Sequence, residues 1–191
     1  EVISMENDEE IQQWGPLDEK GRPIPERKGE DYKKFIAAMK NLGYEFDSRE
    51  LVAADYGAPT TRKRWYAIFR RDGREICFPS PTHSKDGIGF KRWKECGEYI
   101  FWDDLGKSIF DRKKPLAEAT QKRIANGIKK YIIDAPTPYV VKNEKALAFI
   151  IQYHGETKKG DSRGQLLTEP LKTIDTSNRY GLVTAFITKY Y

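Results

Sequence analysis

Leu51-Val52-Ala53-Ala54-Asp55-Tyr56-Gly57-Ala58-Pro59-Thr60-Thr61-Arg62-Lys63-Arg64-Trp65-Tyr66-Ala67-Ile68-Phe69 reads as an apolar strand, a Gly-Pro turn, two arginines two residues apart, and a second apolar strand. Side chains alternate faces in an extended backbone, so Arg62 and Arg64 are expected to point the same way. Two guanidiniums side by side at a turn suit an anion such as phosphate, or a base carbonyl. They equally suit a basic strand start paired with surface carboxylates.

Upstream, Val2-Ile3-Ser4-Met5 reads as a short buried strand. Gln12 to Lys28 is polar and rich in Pro and Gly, hence a loop: either a plain surface excursion or one that touches substrate. Glu30 to Leu42 places Tyr32, Phe35, Ile36, Met39 and Leu42 at helical spacing, with Gly43 as a stop. Tyr44 to Asp55 and Trp65 to Arg70 are strands. Asp72-Gly73 is a hairpin signal, with Ile76-Cys77-Phe78 expected to return antiparallel. Pro79 to Ser84 leaves that sheet, and His83 there either meets a phosphate or caps the backbone. Lys85 to Trp93 is a glycine-bearing loop.

A second helix is expected over Leu116 to Ile133, with Leu116, Ile124, Ile128, Tyr131 and Ile132 on one stripe. Lys122, Arg123, Lys129 and Lys130 fall mostly elsewhere, so its exposed side is basic. Such a side lies along a DNA backbone or is simply solvated. Ala135-Pro136-Thr137-Pro138 marks a seam, after which short strands follow. Ala148 to His154 resembles Ala185 to Tyr191, a repeat of a small β unit. Arg163, Gln165, Lys172, Asn178 and Arg179 lie in turn-like stretches there. They carry donors and acceptors suited to base edges, though polar residues are common in turns anyway. The chain is expected to divide into residues 1–84, 85–134 and 135–191, the last of them β-rich.

At 191 residues and 38% hydrophobic, the chain has the apolar content for a core. A net charge of +5 fits a nucleic-acid partner without requiring one. Two cysteines outside any CxxC pattern argue against a disulfide scaffold and against a metal site. No segment has the length and apolarity of a membrane span and no secretory signal opens the chain, so a cytoplasmic location is expected.

The quoted stretch resembles the segment of DNA cytosine-5 methyltransferases that carries a Pro-Gln-x-Arg-x-Arg motif between two strands. Here it is Pro59-Thr60-Thr61-Arg62-Lys63-Arg64, with Thr60 in place of Gln. Val2-Ile3-Ser4-Met5-Glu6-Asn7 resembles the family's strand-ending Glu-Asn-Val motif, with Asp8 in place of Val. The order of strand, helix, Gly-Tyr strand and paired-arginine turn also matches. The resemblance implies an α/β fold: a partial Rossmann-like methyltransferase sheet with a flanking helix, then a β-rich target-recognition region. It implies S-adenosylmethionine as methyl donor and double-stranded DNA as partner, with the target base flipped out of the stack. Glu6 would be the carboxylate at cytosine nitrogen 3, a role that calls for a dry pocket. Arg62 and Arg64 would hold the base, its phosphate, or the pocket. The family's glycine-rich donor turn and Pro-Cys nucleophile have no counterpart, since neither Cys77 nor Cys96 follows a proline. A middle-to-late methyltransferase segment cut at both ends is therefore expected, opening inside a strand at Glu1-Val2-Ile3. It should not transfer methyl groups alone and should self-associate through its truncated sheet. The rival is a non-catalytic DNA-binding module or a decayed prophage remnant.

Overall fold

A computed structural model describes residues 1–106, 108–141, 146–153, 162–174 and 179–186. Helices and strands are mixed along the chain, an α/β arrangement. By internal contacts the chain divides into two compact units. The first holds Glu1–Tyr56 and Arg62–Lys91; the second holds Gly57–Thr61 and Arg92–Tyr191.

In the first unit, β1 (Val2–Asn7), α1 (Glu30–Asn41), β2 (Glu45–Val52) and β3 (Lys63–Arg70) follow in order. The sheet order is β1-β3-β2, and β3 is antiparallel to both neighbours. β1 and β2 therefore run parallel, joined through α1, with β3 inserted between them. Alternation on β3 puts Trp65, Ala67 and Phe69 on one face, all at most 1% exposed. Tyr32, Phe35, Ile36 and Met39 of α1 pack there, at the expected helical spacing. Phe35 meets Phe69 edge-on at 5.8 Å, and Tyr32 meets Trp65 edge-on at 5.9 Å.

Both ends of α1 are closed by backbone. The Trp14 carbonyl accepts from the Asp31 and Tyr32 N–H groups. At the other end Gly43 takes φ 83° and donates to the Lys40 carbonyl, while the Tyr44 N–H donates to the Met39 carbonyl. This is a Schellman closure, and it needs a residue that tolerates positive φ.

Two sequence expectations change here. β1 is an edge strand with Val2 half exposed rather than a buried one. Ile76-Cys77-Phe78 forms no strand. The segment instead runs back with single contacts: Arg70 Nη1 to the Glu75 carbonyl, the Arg49 guanidinium over the Phe78 ring, and the Tyr56 hydroxyl to the Pro79 carbonyl. Pro79 and Pro81 lack the N–H that a ladder needs. The Gln12–Lys28 loop is ordered, with Asp18 accepting from the Lys20 and Arg22 backbone N–H groups. After β4 (His83–Ser84) a tight turn leads to β5 (Lys91–Arg92).

The second unit is built on α2 (Glu118–Ile128) and the strands β6 (Tyr139–Val141), β7 (Ala146–Gln152), β8 (Gly164–Leu166) and β9 (Tyr180–Phe186). The second helix is thus split, because Lys129–Ile133 closes it as a π turn. β7 is central: β9 pairs along one edge, while β6 and β8 share the other. Ala148, Phe149, Ile150 and Ile151 are accordingly buried in succession, as a strand covered on both faces requires. The two copies of the repeat meet in this sheet as the neighbours β7 and β9, although residues 187–191 and His154 lie outside the described residues.

Gly127 lets α2 approach β7. A Cβ there would stand 2.6 Å from the Phe149 ring, which has no exposed surface. In a helix interior alanine is favoured over glycine by about 1 kcal/mol. Overpacking against an immobile ring costs about 1–3 kcal/mol. Gly127→Ala is therefore expected to lower the urea midpoint, and a raised midpoint would contradict the close approach.

Cys96 lies in the same core, its Sγ beside the Leu167 carbonyl (3.8 Å) and the Gln165 amide (3.9 Å). Burial pushes its thiol from 9.0 up to about 11. The thiol ionises first in the unfolded chain, so stability is expected to fall as pH rises from about 9 to about 11. The loss is on the order of 2 kcal/mol. Urea titrations across that range should give a steeper fall for the unmodified chain than for Cys96→Ala.

Candidate functional site: a bracketed arginine at the end of a sheet

Because Trp65, Ala67 and Phe69 take the α1 side of β3, Arg64 and Tyr66 take the opposite side. Register puts Glu6 of β1 across from Tyr66, so Glu6 and Arg64 share that side as diagonal neighbours. Arg64 Nε lies 3.2 Å from Glu6 Oε1, and Arg64 Nη1 lies 2.6 Å from Asp8 Oδ1. Nη1 also donates to the Lys63 carbonyl at 2.8 Å. The guanidinium is thus held from three sides, and its side chain is only 16% exposed. The carboxylates stay open, Glu6 at 51% and Asp8 at 59%. The dry surroundings that the Glu6 role calls for are not supplied by its neighbours in this unit. Asn7 orders the turn out of β1, its Oδ1 accepting the Asp8 N–H at 2.8 Å.

The lysine between the two arginines is committed to a network of its own. Lys63 Nζ contacts Glu9 and reaches Glu50 at 2.9 Å, while Gln12 Nε2 donates to the other Glu50 oxygen at 2.7 Å. Glu9 and Glu50 raise the Lys63 ammonium above its ordinary value, and Lys63 followed by Gln12 lowers Glu50. Sequence reading did not single out this network, although the carboxylates at Glu9 and Glu10 after β1 were a signal for it. Arg62 precedes β3 and is half-buried, its carbonyl accepting the Ala53 N–H at 2.9 Å. Beside Asn7 an open groove of about 670 Å³ is lined by Trp14, Pro16, Leu17, Pro23 and Ile24. His83 Nδ1 is 2.8 Å from the Thr82 hydroxyl.

In the second unit, the cations named from sequence fall in two groups. Lys122, Arg123, Lys129 and Lys130 lie on α2 and the π turn. Lys122 is paired with Glu118 one helical turn away at 2.6 Å, and Lys130 Nζ lies 5.3 Å from the Tyr131 ring centre. Arg123 and Ser162 are tied by the Ser162 hydroxyl donating to the Arg123 carbonyl. Arg163 and Arg179 flank the end of β7, where their carbonyls accept the Gln152 and Tyr153 N–H groups. Asn178 lies outside the described residues.

Gln165 departs from the role its position suggested. It is 3% exposed, donates to the Pro170 carbonyl at 3.0 Å and accepts the Lys172 N–H at 2.9 Å. Its amide is spent on one turn of the second unit, where the Leu171 backbone pairs with Pro59 and Thr61. Cys96, buried and with its thiol pushed up, has the opposite of a nucleophile's surroundings. Among the described residues no cluster of His, Cys, Asp and Glu could hold a metal ion. No described helix is long and apolar enough to cross a membrane.

The sequence model of the family described as C-5 cytosine-specific DNA methylase matches residues 24–130. That span includes Arg62 and Arg64 and begins after Glu6. Among curated proteins, the chain is 43% identical over 53 residues to the Type II methyltransferase M.SacI of Streptomyces achromogenes, covering 28% of this chain and 14% of that protein. It is 38% identical over 66 residues to the Type II methyltransferase M1.HphI of Haemophilus parahaemolyticus, covering 32% of this chain and 18% of that protein. The matches thus span under a fifth of either relative. With the paired-arginine strand inside a match longer than half of its residues, the chain belongs to the C-5 cytosine-specific DNA methylase family.

Proposed function

We propose that this chain forms the base-facing part of a DNA cytosine-5 methyltransferase, in which Glu6 and Arg64 meet a cytosine drawn out of duplex DNA. The observation that carries this is the 3.2 Å contact between Glu6 and Arg64 on one side of the sheet. A carboxylic acid donating its proton to ring nitrogen 3 and a guanidinium donating to the neighbouring carbonyl are the two donors that this pair of cytosine acceptors needs. Arg64 is fixed before substrate arrives, which limits the reorganisation left for the bound state. Arg62, three residues after the Pro59 turn, supports the same pocket or a flanking phosphate. The β1-β3-β2 sheet with α1 is the partial Rossmann-like sheet of this proposal, and the sheet around β7 is its target-recognition region. Lys122, Arg123, Lys129, Lys130, Arg163 and Arg179 form its DNA-facing set. Self-association runs through the open edge of β1.

S-adenosylmethionine would supply the methyl group. Two strand exits of the first unit differ from the glycine-rich turn that its cradle calls for: β1 runs into the acidic turn Glu9–Gln13 and β2 into Ala53–Tyr56. Cys96, buried with its thiol pushed up, is not suited to the nucleophile's part. Acting alone, it would bind DNA without methylating it.

Asp8 supports a second reading, a DNA-binding module without catalysis, because it occupies an Arg64 nitrogen that a base would otherwise use. The two differ in how they treat an unpaired cytosine. A duplex with one mismatched cytosine is expected to bind the chain several-fold more tightly than a fully paired duplex, since extrusion then costs less. Glu6→Gln and Arg64→Met should abolish that preference while leaving affinity for the paired duplex intact, as read by fluorescence anisotropy. Equal affinity for both duplexes in the unmodified chain would favour the non-catalytic module. Transfer of label from S-adenosylmethionine by the chain alone would overturn the assignment of nucleophile and donor cradle to residues outside it.

A further inference from the structure

The turn between β4 and β5 has no part in the site above, yet it is built with care. Ser84 Oγ donates to Asp86 Oδ1 at 2.8 Å, the Ile88 N–H donates to the same oxygen at 3.0 Å, and the Gly87 N–H donates to Ser84 Oγ at 3.0 Å. Gly87 and Gly89 take φ of 74° and 73°. Asp86 is held below the usual carboxylate range, first by the Ile88 N–H and then by Ser84. A turn tied this way does not collapse to hide its side chains. Ile88 nonetheless stands 77% exposed at its tip and Phe90 50% exposed. Lys85 and Lys91 are exposed on either side and make no ion pair with any described residue. The one acid in the turn, Asp86, is spent on the turn itself.

A rigid apolar tip between two unneutralised cations complements a polyanion with apolar faces inside it, which is duplex DNA. We infer that the Lys85–Lys91 turn is a DNA-contact wedge, with Lys85 and Lys91 on phosphates and Ile88 and Phe90 against the bases. This rests on duplex DNA being the partner, and it adds a contact remote in sequence from both cation groups already named. A wedge of this kind unstacks a base step where it enters.

The test uses the whole chain and a duplex carrying 2-aminopurine at successive positions. The unmodified chain should raise 2-aminopurine emission at one step. Ile88→Ser combined with Phe90→Ser should abolish that rise and weaken binding about tenfold, with the salt dependence unchanged. Lys85→Ala combined with Lys91→Ala should instead reduce the log–log salt slope by about 2. All four side chains are surface residues of one turn, and an unchanged melting temperature verifies that the variants fold. Unaltered emission and affinity in the Ile88/Phe90 variant would overturn the wedge and leave the tip to a protein pocket. Failure of the unmodified chain to bind any duplex at low salt would overturn the DNA partner itself, and the wedge with it.

Discussion

The two-residue period of β3 is the constraint on which the first unit rests. A central strand has neighbours on both edges, so its side chains have only two directions to take. Three large or tightly fitting residues, Trp65, Ala67 and Phe69, are claimed by α1. Arg64 then has nowhere to go but the other side, where register delivers Glu6 of β1. A slip of one residue would carry the guanidinium into the aromatic core, at a cost far above anything a surface ion pair returns. The packing of α1 and the geometry of the candidate site are therefore one fact seen from two faces of a sheet.

A different economy governs the second unit. Its central strand is buried on both sides, so polar groups near it must be satisfied within the core. Gln165 and Ser162 are, each through named backbone partners. Cys96 sits among them as a neutral thiol. Polar residues here hold turns and helix to strand.

Much of the first unit was legible because its signals are local. Helical spacing from Tyr32 to Met39, Gly43 as a stop and the apolar strands around the Gly-Pro turn each follow from a few neighbouring residues. Ile76-Cys77-Phe78 misled because a hairpin signal at Asp72-Gly73 says where a chain reverses, not whether the return finds a ladder. Gln165 misled for a related reason. Its exposure depends on where Pro170 and Lys172 come to lie, and a turn-like sequence does not reveal that. The pairing of Glu6 with Arg64 spans 58 positions, and only a family resemblance, not spacing, could bring them together.

The stretch Gly57–Thr61 belongs by its contacts to the second unit, while the residues on both sides of it belong to the first. Two hydrogen bonds to Leu171 hold it there. The polypeptide thus crosses between the units three times rather than once, and no single scissile position would part them cleanly. Transfer of the second unit to another chain by simple splicing would have to carry those five residues along, or graft a replacement able to accept the same backbone partner.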